Sequence, residues 1–184
     1  MLSRIALAGL FVLSSVAFVV AQEAPATSQA AAKVAPMDFR KLKELMPAEL
    51  CGLKRTGNEG QKMSLGEFTI SQATGDFGGG DEENAPTIHV DIQDFAGATG
   101  MGDVMTAWQT LEIDKETDGG YEKTTKVAGQ PAFESFQREG KSGQLQIYVA
   151  KRYYVNVTAS NLTQEQFKKL GESLPIKKLA ELKE

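Results

Sequence analysis

Apolar residues at Phe39, Leu42, Leu45 and Met46 repeat at the spacing of one helical stripe, with Asp38 placed as an N-cap and Pro47 as a stop. A first amphipathic helix is predicted there. The period then falls to two. In Ser64 to Thr74, Phe68 and Ile70 alternate with polar neighbours, and in Thr87 to Phe95 Ile88, Val90 and Ile92 alternate with His89, Asp91 and Gln93, which predicts two strands joined by the acidic, glycine-rich "GDFGGGDEENAP". Met101, Val104, Met105, Trp108 and Leu111 return to helical spacing. Four more strand-like runs follow, Tyr121 to Val127, Ala132 to Gln137, Gln144 to Val149 and Tyr153 to Ala159, separated by short turns. The last segment begins at Asn161 or Thr163 as cap, carries Phe167, Leu170 and Leu174 on one face, and is broken by Pro175 before a short helical "IKKLAELK".

The expected order is therefore αββαββββα. Consecutive strands with short links imply an antiparallel sheet of about six strands, and the helices must cover it, so the predicted class is an α+β sandwich. Phe133 and Phe136 fall on opposite sides of one strand, which places apolar cover on both faces at that point.

Register decides the hairpin around "LQIYVAKRYYVNVT". A three-residue loop Ala150-Lys151-Arg152 pairs Val149 with Tyr153, Ile147 with Val155 and Leu145 with Val157, making one face wholly apolar; a two-residue loop would scatter that set. Lys151 and Arg152 then sit at a solvated tip. The opposite face carries Gln146, Tyr148, Tyr154, Asn156 and Thr158, a polar-aromatic set that either lies under a helix, the reading preferred for aromatics, or lines a cleft. Tyr148, Tyr154 and Asn156 are the candidate ligand-binding residues.

The first fifth of the 184-residue chain differs from the rest. Arg4 and the apolar run Ile5 to Ala21, with Val19 and Ala21 before the break, have the form of a signal peptide, residues 1–21. The run of seventeen residues is short of the roughly 20 a membrane helix needs. Residues 22–36 are rich in Ala, Pro, Ser and Gln and read as a flexible tether. Residues 37–184 then form a single domain large enough to bury a core.

Composition narrows the chemistry. Cys51 is the only cysteine, so no intrachain disulfide exists, and its apolar setting "ELCGLKR" suits a small buried hydrophobe. His89 is the only histidine, which leaves no metal cluster and no triad; with Asp91 it offers two ligands on one strand face. The Gly-Lys-Ser at Gly140 to Ser142 lacks the earlier glycine of a phosphate loop, since Ser135 stands there, and a strand-like run follows instead of a helix. Gly140 and Gly143 are read as turn residues. "GATGMG" before the second predicted helix has no basic residue and contains Asp103, which repels an anion. From Ser64 to Gly120 twelve acidic residues face the single basic Lys115, while Tyr121 to Glu184 holds eleven basic and seven acidic residues. Such a balance disfavours nucleic acid as a partner. Asp76, Asp81, Glu82 and Glu83 offer hard oxygens, but their order is not that of a calcium loop, so only weak, non-specific cation association is expected.

At "TTKVAGQPAFESF", where Gly129-Gln130-Pro131-Ala132-Phe133 links two strands, the chain resembles exported proteins of the PsbP-like α/β sandwich group; the later hairpin and closing helix are similar in order. The resemblance implies a non-enzymatic binding or assembly role. The function expected is a non-catalytic exported domain, periplasmic or secreted, that binds an envelope protein or a small ligand. No cofactor, metal site or catalytic residue is assigned, and no membrane span is expected to remain after the signal is removed. The alternative is a metal-dependent protein or enzyme using His89 with acidic partners. The compartment is open to direct measurement: the intact mass of the exported protein should correspond to a chain starting near Gln22, and retention of residues 1–21 in a membrane fraction would replace the signal by an anchor.

Overall fold

Two antiparallel meanders meet in the middle of one sheet. The computed structural model describes residues 34–65, 68–80, 84–96 and 107–182. A helix, α1 (Phe39–Leu45), precedes β1 (Glu49–Leu50), β2 (Leu53–Leu65), β3 (Phe68–Gly78) and β4 (Thr87–Asp94). After a 3-10 turn at Ala107–Thr110 come β5 (Asp114–Thr117), β6 (Gly120–Val127), β7 (Gln130–Gln137), β8 (Ser142–Val149) and β9 (Tyr153–Ser160), then α2 (Gln164–Ser173) and α3 (Ile176–Glu181). The nine strands lie in the order β1-β2-β3-β4-β9-β8-β7-β6-β5, with neighbours antiparallel.

This overturns the expected α+β sandwich of six strands: the protein is a mostly-β fold built on one open nine-stranded sheet. The three strands beyond the expected six have a physical reason to be silent in the sequence. β2 reads "LKRTGNEGQKMSL", with hardly an apolar alternation, because it borders the sheet and hides little. β5, "DKET", is exposed at every position, and β1 has two residues. The β1–β2 link is Cys51-Gly52, with φ of 50° and 83°, a two-residue turn of the kind that suits right-twisted hairpins. Cys51 is thus a half-buried turn residue and no part of an apolar run; its Sγ lies 3.5 Å from the Gln166 carbonyl, and burial pushes its thiol up.

Where the apolar pattern is strong, the elements match it. Asp38 caps α1 by accepting from the Arg40 amide at 2.8 Å. Thr163 caps α2 in a reciprocal box with Gln166. The β8–β9 hairpin adopts the three-residue loop, with Val149 opposite Tyr153, Ile147 opposite Val155 and Leu145 opposite Val157. The second predicted helix, Met101 to Leu111, and "GATGMG" fall largely outside the described residues, as do residues 1–33 and Asp81 to Glu83; the described end of that helix is the 3-10 turn.

One sheet face is the core. Phe77, Ile88 and Ala159 form one cross-strand row, Val90, Val157 and Leu145 a second, and Ala73, Ile92, Val155, Ile147 and Ala132 a third, all buried. The helices α1, α2 and α3 add Leu42, Met46, Phe167, Leu170, Ile176 and Leu179 to this face. Gly143 stands in β8 because Phe167 packs on it, a Cβ there meeting the ring at 2.5 Å; it is a packing glycine within a strand, not a turn residue.

In the sheet the two meanders join through β4 and β9, and a buried ion pair closes that join. Asp94 is fully buried, and Arg152 donates Nε to its Oδ1 at 2.9 Å and Nη2 to its Oδ2 at 2.8 Å. The amides of Met37 and Ala96 donate to the same carboxylate at 2.6 and 2.7 Å, and Arg152 Nη2 also donates to the Ala35 carbonyl at 3.1 Å. Arg152 is therefore no solvated tip residue; Lys151, beside it, is exposed as expected. Removing one partner of a buried pair strands the other charge. Asp94→Ala should lower stability by about 3–5 kcal/mol, whereas Lys151→Ala should stay within about 0.5 kcal/mol; urea denaturation of both variants checks the contrast.

Candidate functional site

The face of the sheet opposite the helices holds the residues singled out in the sequence. Tyr148 pairs across the hairpin with Tyr154, and Asn156 with Gln146, so the three candidate ligand-binding residues do share one surface. The described helices pack on the other face, which leaves the expected helix cover of this set unsupported among the described residues. The polar groups here are largely occupied by one another. Gln144 donates to the Asn156 side chain at 3.0 Å; Gln72 and Gln93 donate to Asp91 at 3.0 and 2.6 Å; Gln61 donates to Gln72 at 2.9 Å. Tyr154 is only 5% exposed, and burial, then the Asp91 charge, raises its phenol above the ordinary tyrosine range. Phe133 reaches this face as expected, with the Trp108 ring 6.3 Å away.

His89 is on the same face, 47% exposed, its Nδ1 2.7 Å from Asp76 Oδ1 on the adjacent strand. Asp91, the neighbour predicted to share its face, is engaged by glutamines instead. No cluster of three His, Cys, Asp or Glu side chains able to hold a metal forms among the described residues.

The larger concavity lies on the helix side. A groove of about 1020 Å³ runs between β6 and the helices, its floor made by Val127, Leu145, Phe167 and Leu174 and its rim by Lys123, Lys168, Lys177 and Lys178. The groove exists because the helical layer is narrower than the sheet. α2 presses on β7 and β8 through Phe167 against Phe136, and Gly171 lets its end come down onto Val127 and Leu145. β6 then extends beyond that roof, with Tyr121, Lys123, Thr125 and Val127 on the helix side of the strand, in register with Phe136, Glu134 and Ala132 of β7.

Electrostatics along the groove are uneven. Lys123 Nζ lies 3.7 Å from Glu134 and 5.2 Å from the centre of the Tyr121 ring, over which Lys168 also stands at 5.9 Å. Tyr121 donates its hydroxyl to Glu134 and stacks on Phe136 at 6.1 Å. Glu44 and Glu172 are the remaining acids of the lining, so the lysines outnumber the carboxylates. Sequence reasoning missed this site. The available signal was "YEKTTKV", in which Lys123 and Thr125 occupy the inward positions of a strand where apolar residues would sit under a complete roof.

No family model, curated protein or solved structure matches the chain.

Tyr121 provides a titration handle on the groove. Burial first, then the hydrogen bond to the Glu134 carboxylate and its charge, hold its phenol well above the ordinary tyrosine value. A group whose folded pKa is raised contributes stability that is complete below its unfolded pKa, about 10 for tyrosine, and is lost as pH climbs toward the folded value. The fall in stability above pH of about 10 should be shallower in Tyr121→Phe, read by urea denaturation, and the ultraviolet phenolate titration of that variant should lose its most alkaline component.

Proposed function

We propose that this chain is a non-catalytic binding domain, acting after export, whose ligand seat is the groove between β6 and the helices. The observation that carries the reading is the pairing of an apolar floor with a lysine rim in one concavity of about 1020 Å³. That size falls at the upper end of small-molecule sites, about 300–1,000 Å³. The floor supplies area for an apolar body and the rim supplies ammonium donors for a negative head, which selects anions that carry an apolar part. Lys123 is held by Glu134, so the recognition falls to Lys168 and Lys177, which line the groove from α2 and α3. A lysine ammonium is a compact, mobile charge, suited to a carboxylate, sulfonate or phosphate head without demanding one geometry. The reading agrees with the non-enzymatic role that the PsbP-like resemblance implies, and with a small ligand in the envelope as its partner.

The test uses 1-anilinonaphthalene-8-sulfonate as the anionic apolar probe and N-phenyl-1-naphthylamine as its uncharged counterpart. The sulfonate should bind at least about tenfold tighter, and the Lys168→Glu, Lys177→Glu double variant should remove most of that preference, about 1.4 kcal/mol. Equal affinity for both probes, or an unchanged preference in the variant, overturns the assignment.

A further inference from the structure

The groove carries one polar group that the protein does not use. On the helix side of β6, Tyr121, Lys123, Thr125 and Val127 follow one another at steps of about 6.8 Å, two residues of strand. Opposite them on β7 stand Phe136, Glu134, Ala132 and Gln130. The first two rows satisfy themselves: Tyr121 stacks on Phe136 and gives its hydroxyl to Glu134, and the Lys123 ammonium stands 3.7 Å from the same carboxylate. The third row does not. Thr125 is half-buried and lines the groove beside buried Ala132, and its hydroxyl makes no hydrogen bond to any described residue. Nor is that oxygen sealed in the core, so a molecule in the groove reaches it. Valine has the same shape and suits a strand as well, so the hydroxyl is what threonine adds here. From the roof, Lys168 of α2 leans toward β6, its Nζ 5.9 Å from the centre of the Tyr121 ring and in no ion pair among the described residues.

We propose that Thr125 and Lys168 together hold the head of the groove's ligand, and that this head is a singly charged oxyanion of the sulfonate or phosphodiester kind; the proposal rests on the groove being the ligand seat. The hydroxyl and the ammonium each donate to an oxygen of the head, and hydrogen bonds to a charged acceptor are the strong ones. The acids around the seat set the charge it takes. Glu134 stands one row from Thr125, its side chain 12% exposed, and Glu172 follows Lys168 by one turn of α2. Lys126 turns its side chain to the other face of β6. In the lining Lys123, Lys168, Lys177 and Lys178 then meet Glu44, Glu134 and Glu172, an excess of one positive charge. A monoanion balances that excess, whereas the second charge of a phosphomonoester stands against Glu134 with no cation to match it. With the head at Thr125, the apolar body lies toward Val127, the next residue on that face.

Displacement of 1-anilinonaphthalene-8-sulfonate compares three probes that share one apolar body. At a pH of about 8, 1-naphthalenesulfonate and methyl 1-naphthyl phosphate should each bind at least about fivefold tighter than 1-naphthyl phosphate, a dianion there because its second pKa is about 6. Thr125→Val keeps the shape of the floor and should weaken both monoanions about tenfold, with the urea midpoint and the affinity for uncharged N-phenyl-1-naphthylamine unchanged. Lys168→Gln should weaken the same two probes and spare the uncharged one. A phosphomonoester that binds as tightly as the monoanions overturns the proposal, as does a Thr125→Val protein that binds both monoanions like the native one. In either case a native preference for the sulfonate over the uncharged probe leaves the groove standing; equal binding of those two removes the groove and the seat together.

Discussion

Asp94 and Arg152 hold together the one ladder that makes two meanders a single sheet. β4 and β9 present Ile88, Val90 and Ile92 to Val155, Val157 and Ala159, all buried on the same face. Rows of similar aliphatic residues tolerate a shift of two positions with little change in the area they hide, because hydrophobic burial has no direction. A carboxylate fixed by two arginine nitrogens and two backbone amides does have direction. Asp94 lies opposite Tyr153, next to Arg152, so the pair forms only in one register. The same carboxylate takes the Met37 amide, and this brings the segment that leads into α1 over the core. α1 in turn covers β2 and β3, the far side of the first meander.

What the sequence disclosed follows how strongly each segment is sorted between core and solvent. β4, β8 and β9 bury every second side chain or nearly so, and their alternation, register and loop length were legible. β2 and β5 lie at the borders, where a strand is specified by its backbone ladder and side chains are free to be polar, and no period of two marks them. Arg152 was read as a tip residue because hairpin geometry places it there; that its side chain folds back to an aspartate fifty-eight residues earlier is long-range information that no local pattern contains. The grouping of Tyr148, Tyr154 and Asn156 was legible from period alone, while the mutual satisfaction of that face by Gln72, Gln93 and Gln144 required three strands to be placed.

The difference between the two faces bears on where binding belongs. On the outer face each polar side chain placed in a hydrogen bond has a neighbour of the same sheet as its partner, and a ligand would have to replace bonds already made, gaining little net energy. The groove offers the reverse. Of its apolar floor Leu145, Phe167 and Leu174 are already buried and Val127 half-buried, while Lys168 and Lys177 stand exposed at the rim. In the proposed seat a ligand would gain about 25 cal/mol per Å² of the apolar area still exposed, and the lysines would add selectivity at an opening where solvent still screens the charge.

The charge asymmetry of the sequence maps onto this division. β3, β4 and β5 belong to the acidic stretch, and β6 to α3 to the basic one. Because the chain crosses from β4 to the far border and works back, acidic β4 meets uncharged β9 at the centre, and Arg152, in the loop just before β9, pairs with Asp94 in the buried ion pair. At the β5 border the same opposition recurs at the surface: Arg138, reaching from the β7–β8 turn, binds Glu116 and the Thr117 and Asp118 carbonyls and so tethers the edge strand. Lys168 of α2 and Lys177 and Lys178 of α3, outside these pairs, line the groove. Part of the basic excess thus lies on the helix side of the sheet, beside β6, while Lys141 and Lys151 stand exposed in the β7–β8 and β8–β9 turns and line no part of the groove.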